Sequence, residues 1–417
     1  MKKRIVTLLF VAALGGIAAL AAANEAKPVV KQVEGLTLDQ ALEMAESLQP
    51  ELAEAKAMVE AAEGRAKQAG LFPNPEAVAR MESARFRDPT GQAEIPVGIS
   101  QAVPLGSRLS KARQAELVAR EVRDRGLEVK RRDIRQRVHS AFATALYQEK
   151  AYQAQTEILH NSEKAVATTH ARLNVGDALP EDLARVEMEL ARAKVELQRA
   201  ESLHEQSLTA LASAIGNAAL PVKSLAGSLD VTFEIPALES LAANLSSHPE
   251  LAMADADVRA KNARVDLVKA ERIPDVKVDL LYRRLEASKE NAFDMGFSIP
   301  LPLFDRNQGR LREARAEVAA AEARAHMTQN ELISRMGQSY LQLTTALASS
   351  RTLKIEILPR AETVLKSAEA RYAAGDISLA EILPVRRDWA AVQLSYLESL
   401  RDVMQAWAQV KSFTKAL

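Results

Sequence analysis

The chain has no cysteine in 417 residues. That excludes disulfides, thiolate metal sites and a lipid attached through an N-terminal cysteine. Aromatic residues make up only 4%, too few for the stacking platforms that bind single-stranded nucleic acid. Net charge is missing as well, with 55 Lys and Arg against 55 Asp and Glu, so no nucleic acid or other polyanion is implied as a partner. There is no His-Glu-x-x-His pattern, phosphate loop, dinucleotide fingerprint or nucleophile elbow. The six histidines never pair at metal-ligand spacing. The expectation is therefore no catalytic residues, no cofactor and no metal site within one chain. A single long apolar run exists, Ile5 to Leu20. No other stretch reaches the roughly 18 uncharged residues a membrane helix needs.

That run has the form of an export signal. Lys2, Lys3 and Arg4 precede it and Ala21-Ala22-Ala23 close it, a basic start, an apolar middle and a small-residue cleavage site. Cleavage after Ala23 would remove three basic residues and leave 52 against 55. A membrane contact by the rest of the chain would need β-strands or its surface.

What the chain has is repetition. The segment 170–187, HARLNVGDALPEDLARVE, recurs at 369–386 as EARYAAGDISLAEILPVR. Likewise 97–108, VGISQAVPLGSR, recurs at 295–306 as MGFSIPLPLFDR. The offset, near 199 residues, far exceeds the 20–50-residue periods of solenoids. It predicts a leader at 1–23, a first repeat at 24–217, a linker at 218–240 and a second repeat at 241–417. Most of each repeat reads as helix: alanine-rich, charged and poor in glycine. Pattern predicts one helix from about Leu109 to Asn174 and another from about Gly309 to Ala373, the latter kinked at Pro359. Period-two alternation predicts a β-hairpin in each repeat, at about 77–103 and 275–301. The first turns around Asp88-Pro89-Thr90-Gly91.

Two patterns bear on architecture. After each Gly-Asp turn a 3,4 spacing runs for four heptads, a coiled-coil seam. It is Leu183, Val186, Leu190, Ala193, Leu197, Ala200, His204, Ser207 and Leu211 in one half. In the other it is Ile382, Val385, Trp389, Val392, Tyr396, Ser399, Val403, Ala406 and Val410. The strands, about ten residues each, match a tilted membrane span. Five of nine phenylalanines (Phe72, Phe86, Phe293, Phe297 and Phe304) lie in or beside the hairpins, as in an aromatic girdle. Arg80, Glu82, Arg85 and Arg87 crowd the first hairpin and require a wet lumen or a place beyond the bilayer. Four strands cannot close, and open edges are forbidden in lipid, so spanning would demand several copies. The alternatives are a non-transporting periplasmic coiled-coil scaffold or envelope spacer, and the adaptor subunit of an exporter.

The opening, LTLDQALEMAESLQPELAEAKAMVEAAEGRAKQAGLFPNPE (36–76), resembles the N-terminal signature of the TolC-like outer membrane efflux proteins. The segment SIPLPLFDRNQGRLREARAE (298–317) is similar to their heavy-metal branch, the CzcC-like and CusC-like components. The resemblance covers nearly the whole exported chain. It implies a mainly α fold with a small transmembrane β part: a homotrimer with a 12-stranded β-barrel in the outer membrane and a long α-barrel through the periplasm. It implies a periplasmic adaptor, an inner-membrane RND-type pump and outer-membrane lipid as partners. It also implies a periplasmic gate after the helix turns, onto whose acidic positions Asp182 and Glu381 fall, with Tyr372 on a gate tyrosine. Pro384 stands where the family often has an acidic residue, with Arg185 as its counterpart in the first repeat; Arg185, Arg386 and Arg387 are candidate partners of the carboxylates. Asp182 and Glu381 also fit a helix-capping role, and both readings stay open. Gly176-Asp177 and Gly375-Asp376 are candidate helix turns and adaptor contacts.

Overall fold

The computed structural model describes residues 33–82, 94–231, 233–285 and 290–414. The expected leader and the Asp88–Gly91 turn, with Arg85, Phe86 and Arg87, lie outside the described residues.

Helix boundaries follow local chemistry. Helix α1 (Leu38–Leu48) opens on a capping box: Thr37 Oγ1 accepts from the Gln40 N–H at 3.3 Å, and Gln40 Oε1 accepts from the Thr37 N–H at 3.0 Å. It stops ahead of Pro50, the first residue of α2 (Pro50–Ala69), where a missing N–H costs nothing. Helix α3 (Arg108–Asn174) is unbroken for 67 residues, roughly 100 Å at the usual rise. It returns as α4 (Pro180–Ile215). After the linker come α5 (Leu238–Asn244) and α6 (Pro249–Ala270). Then α7 (Gln308–Thr352) runs through a π-helical turn, Leu353–Ile357, into α8 (Leu358–Ala374), and α9 (Leu379–Lys411) returns.

The kink expected at Pro359 is thus a widened turn just ahead of it. The π turn moves the carbonyl that the proline ring would strike and could not bond. Pro384 lies in the second turn of α9 and does not end it. Every position of both predicted seams is buried or half-buried, so the 3,4 spacing does mark the packed faces of α4 and α9.

The core is a thin line along the helices. Ile134, Val138 and Phe142 of α3 meet Leu211 and Ile215 of α4 and Leu52 of α2. A second cluster gathers Leu241, Leu332, Leu343, Val410 and Phe413. Among the described residues the linker forms two isolated parallel bridges, Val33 to Val222 and Leu36 to Leu225, and its Phe233 ring stacks on Trp407 at 4.9 Å.

At one end the chain forms a four-stranded antiparallel sheet in the order β1 (Glu76–Ala79), β2 (Val97–Val103), β3 (Val276–Leu285), β4 (Glu290–Ser298). The second hairpin has the expected length. Strands of the first are shorter than expected: four and seven residues, extended by one bridge between Glu82 and Glu94. Pro96 interrupts the pattern, since it cannot donate to the ladder. The two hairpins join through β2 and β3, where Val97 to Val103 pair with Tyr282 to Val276.

Candidate functional site

The sheet has two chemically opposite faces, fixed by the period-two alternation. On one, cross-strand pairs are apolar: Val97 with Tyr282, Ile99 with Leu280, Leu280 with Met295, and Val278 with Phe297. All are exposed, Phe293, Met295 and Phe297 at 75%, 78% and 82%. An aromatic-rich sheet face turned fully outward is far from the usual soluble surface.

The other face is polar. Glu76, Ser100, Asp279 and Gly296 form one row across all four strands. Lys277 Nζ reaches Glu76 at 3.1 Å. Arg283 lies among three carboxylates: Asp294 at 3.1 Å, Glu94 at 3.2 Å and Glu82 at 4.0 Å. Ser100 Oγ and Asp279 Oδ1 are buried and find no hydrogen-bond partner among the described residues. Gly98 allows the close approach of β2 to β3: a Cβ there would lie 2.0 Å from the Leu280 carbonyl oxygen. The outer edges of β1 and β4 pair with no strand among the described residues. Edges of this kind invite another copy of the chain.

The opposite end holds the two helix turns. Gly176 and Gly375 have φ of 86° and 83°, the left-handed conformation that glycine adopts without strain. At each, the following aspartate closes the helix in the same way. The Asp177 N–H donates to the Arg172 carbonyl and the Asp376 N–H to the Arg371 carbonyl, both at 2.9 Å. This is the Schellman arrangement.

Asp182 and Glu381 sit in the first turns of α4 and α9 and reach back. Asp182 Oδ2 accepts from the Leu179 N–H at 3.3 Å. Glu381 Oε2 accepts from the Ser378 N–H and hydroxyl, both at 2.8 Å. The Ser378 N–H, then its hydroxyl, hold the Glu381 carboxyl below the usual carboxylate range. Both residues are therefore helix caps. Each uses one oxygen in doing so, and the described residues make no bond to the other.

The arginines expected beside them turn elsewhere within the chain. Arg386 lies 3.5 Å from Glu369 of α8, and Arg387 makes two bonds to Glu189 of α4, at 2.8 and 3.2 Å. Arg185 is exposed and meets no carboxylate among the described residues. The Tyr372 ring receives the Arg172 guanidinium at 5.4 Å, a cation–π contact between α8 and α3 that pattern reading missed. Beneath the turns, Val186, Leu379, Ile382 and Leu383 make a small core joining α4 to α9. Among the described residues no group of three or more His, Asp or Glu is placed to hold a metal, and no helix is long and apolar enough to cross a membrane.

A sheet with one apolar and one charged face, continued by helices of this length, has the form of an outer membrane channel subunit. The chain belongs to the outer membrane efflux protein family, whose model matches residues 41–217 and again 241–414. It is similar to the cobalt-zinc-cadmium resistance protein CzcC of Cupriavidus metallidurans, 29% identical over 89% of this chain and 88% of that one. The nickel and cobalt resistance protein CnrC of the same organism is 28% identical over 68% of each. Among solved structures, the outer-membrane channel OprN superposes with a TM-score of 0.76 over 90% of this chain and 89% of that one, at 16% identity. The protein is a channel component and not an enzyme.

Proposed function

We propose that the chain is the exit duct of a tripartite efflux system, exported by the leader at 1–23 and assembled as a homotrimer from two internal repeats. Three four-stranded sheets close into a 12-stranded barrel, β4 of one copy beside β1 of the next. The helices of three copies close into an α-barrel through the periplasm. The observation that carries this is the two-faced sheet with open edges. Its apolar face suits lipid, and its polar face carries the charged side chains that a water-filled lumen accommodates. A soluble scaffold would leave Phe293, Met295 and Phe297 in water for no gain.

Energy comes from an inner-membrane pump of the RND type through a periplasmic adaptor, which meets the Gly176-Asp177 and Gly375-Asp376 turns. Asp182 and Glu381, three copies of each, form carboxylate rings at the closed end, with Tyr372, Arg185 and Arg386 around them. The exported substrates are divalent metal cations; this reading draws on CzcC and CnrC, the relatives named for cobalt, zinc, cadmium and nickel resistance.

Two measurements test this. Mass photometry in detergent is expected to give a trimer, and a stable monomer in outer membranes would refute the assembly. Deleting the gene is expected to sensitise cells to cobalt, zinc or cadmium. Unchanged tolerance in a strain without a second such channel would refute the substrate.

A further inference from the structure

The apolar face of the sheet continues past its last paired residues. Leu301, Leu303 and Phe304 after β4, and Phe72 before β1, are all exposed, Phe304 at 91%. Positive charge follows directly. Arg272, Arg306, Arg310 and Arg312 are exposed and make no ion pair among the described residues. Farther along the helices, Arg120, Arg137, Arg259, Arg324 and Arg335 are each held by a carboxylate, while Arg123, Arg264 and Arg351 are exposed without an ion pair among the described residues; the rim is set apart by the apolar side chains beside its arginines.

The fold brings these groups to one rim. Leu311 packs with Ala314 of α7 against Val265 and Val268 of α6, which sets the start of α7 beside Arg272. Gly106, at the head of α3, abuts Ile273, so closely that a Cβ there would lie 2.5 Å from Ile273 Cδ1. Other cations beside this rim are neutralised: Arg108 by Asp275 at 2.7 Å, Lys269 by Asp266 at 2.9 Å and Lys277 by Glu76 at 3.1 Å.

We propose that the rim where the sheet passes into the helices is a docking surface for anionic glycerophospholipids of the leaflet on the helix side. The apolar side chains enter the acyl region. The guanidinium groups of Arg272, Arg306, Arg310 and Arg312 hold lipid phosphates, for which their planar forks are matched. Their unpaired state in the chain is what leaves them free for it, and basic groups at this depth beneath an apolar band favour an anionic surface. The inference rests on the outer-membrane reading above.

The test is native mass spectrometry of the full-length trimer in neutral detergent, titrated with phosphatidylglycerol and, separately, phosphatidylcholine. Wild type is expected to retain phosphatidylglycerol preferentially. The triple variant Arg306→Gln, Arg310→Gln, Arg312→Gln is expected to lose that preference by on the order of fivefold per arginine, and the matching lysine triple to keep it. If the glutamine triple does not assemble, Arg310→Gln alone is expected to show its single share, and salt to abolish the wild-type preference. Equal retention of both lipids by wild type overturns the proposal, as does an unaltered preference in either glutamine variant. Tighter retention of lipopolysaccharide than phosphatidylglycerol, or displacement of lipid by inorganic phosphate, also overturns it. Failure of the underlying reading is distinct: that protein would insert into no bilayer at all.

Discussion

At the scale of single residues, Asp182 and Glu381 show how one side chain serves two ends. Within the chain they cap helices, and the capping pattern was legible from Ser378-Leu379-Ala380-Glu381. Their spare oxygens leave room for the carboxylate ring of the proposed trimer. Replacing both by alanine is expected to raise single-channel conductance in planar bilayers and to abolish block by divalent cations, with the trimer retained. Conductance and block equal to wild type would leave them caps alone. The sign of the pH effect follows from Glu381. A carboxyl held below its usual range contributes stability above its unfolded-state value, and loses it as pH falls through the lower folded value. Its capping therefore outlasts mild acid. His248 has the same sign in a higher pH window. It is 6% exposed, and its Nδ1 accepts from the Glu250 N–H. Burial, then Arg132 and Arg335, push its pKa down to about 4. Because the unfolded imidazole takes up a proton first, stability is full above about pH 6.5 and falls between there and about pH 4. His139, similarly lowered to about 4, adds to the slope. His248→Asn keeps a good capping residue and is expected to shallow the fall of Tm between pH 6.5 and 4.5. An unchanged slope would exclude His248 as a source. No pattern in sequence pointed to His248 or to the Arg172–Tyr372 contact, because both arise between segments far apart in the chain.

At the scale of elements, helix ends were the most legible features, since prolines and glycines mark them. Helix α4 opens on Pro180 and closes at Gly216, in the left-handed conformation. The π turn was not legible, because proline announces a disturbance and leaves its form to packing. Strand β1 is cut short opposite Pro96, which accepts from the Arg80 N–H but has none to give back, and pairing resumes between Glu82 and Glu94. The join of β2 to β3 has no sequence signal of its own, and Gly98 is its weak point. Gly98→Ala would place a methyl against the Leu280 carbonyl, and the ladder between the hairpins must then shift. Gly98→Ala is expected to abolish heat-modifiable trimers in detergent while far-UV helix content persists. Trimers as stable as wild type would contradict the β2–β3 register.

At the scale of the whole molecule, the two seams and the unbroken α3 make reach a quantity written in residues. A heptad adds or removes about 10 Å and turns the packed face by only about 20°, whereas five residues would turn it by about 140°. The protein is in this sense a ruler with seven-residue graduations. Removing one heptad in register from α3, α4, the α7–α8 run and α9 is expected to leave a trimer that conducts normally in planar bilayers. Cells carrying it are expected to lose metal tolerance, because the duct no longer meets partners built for the full span. Tolerance equal to wild type would mean that the partners, and not this chain, take up the gap. If the ruler holds, the spacing between two membranes is set by a residue count in one polypeptide, and envelope thickness and duct length change together in steps that keep the packed faces in register, such as seven or eleven residues.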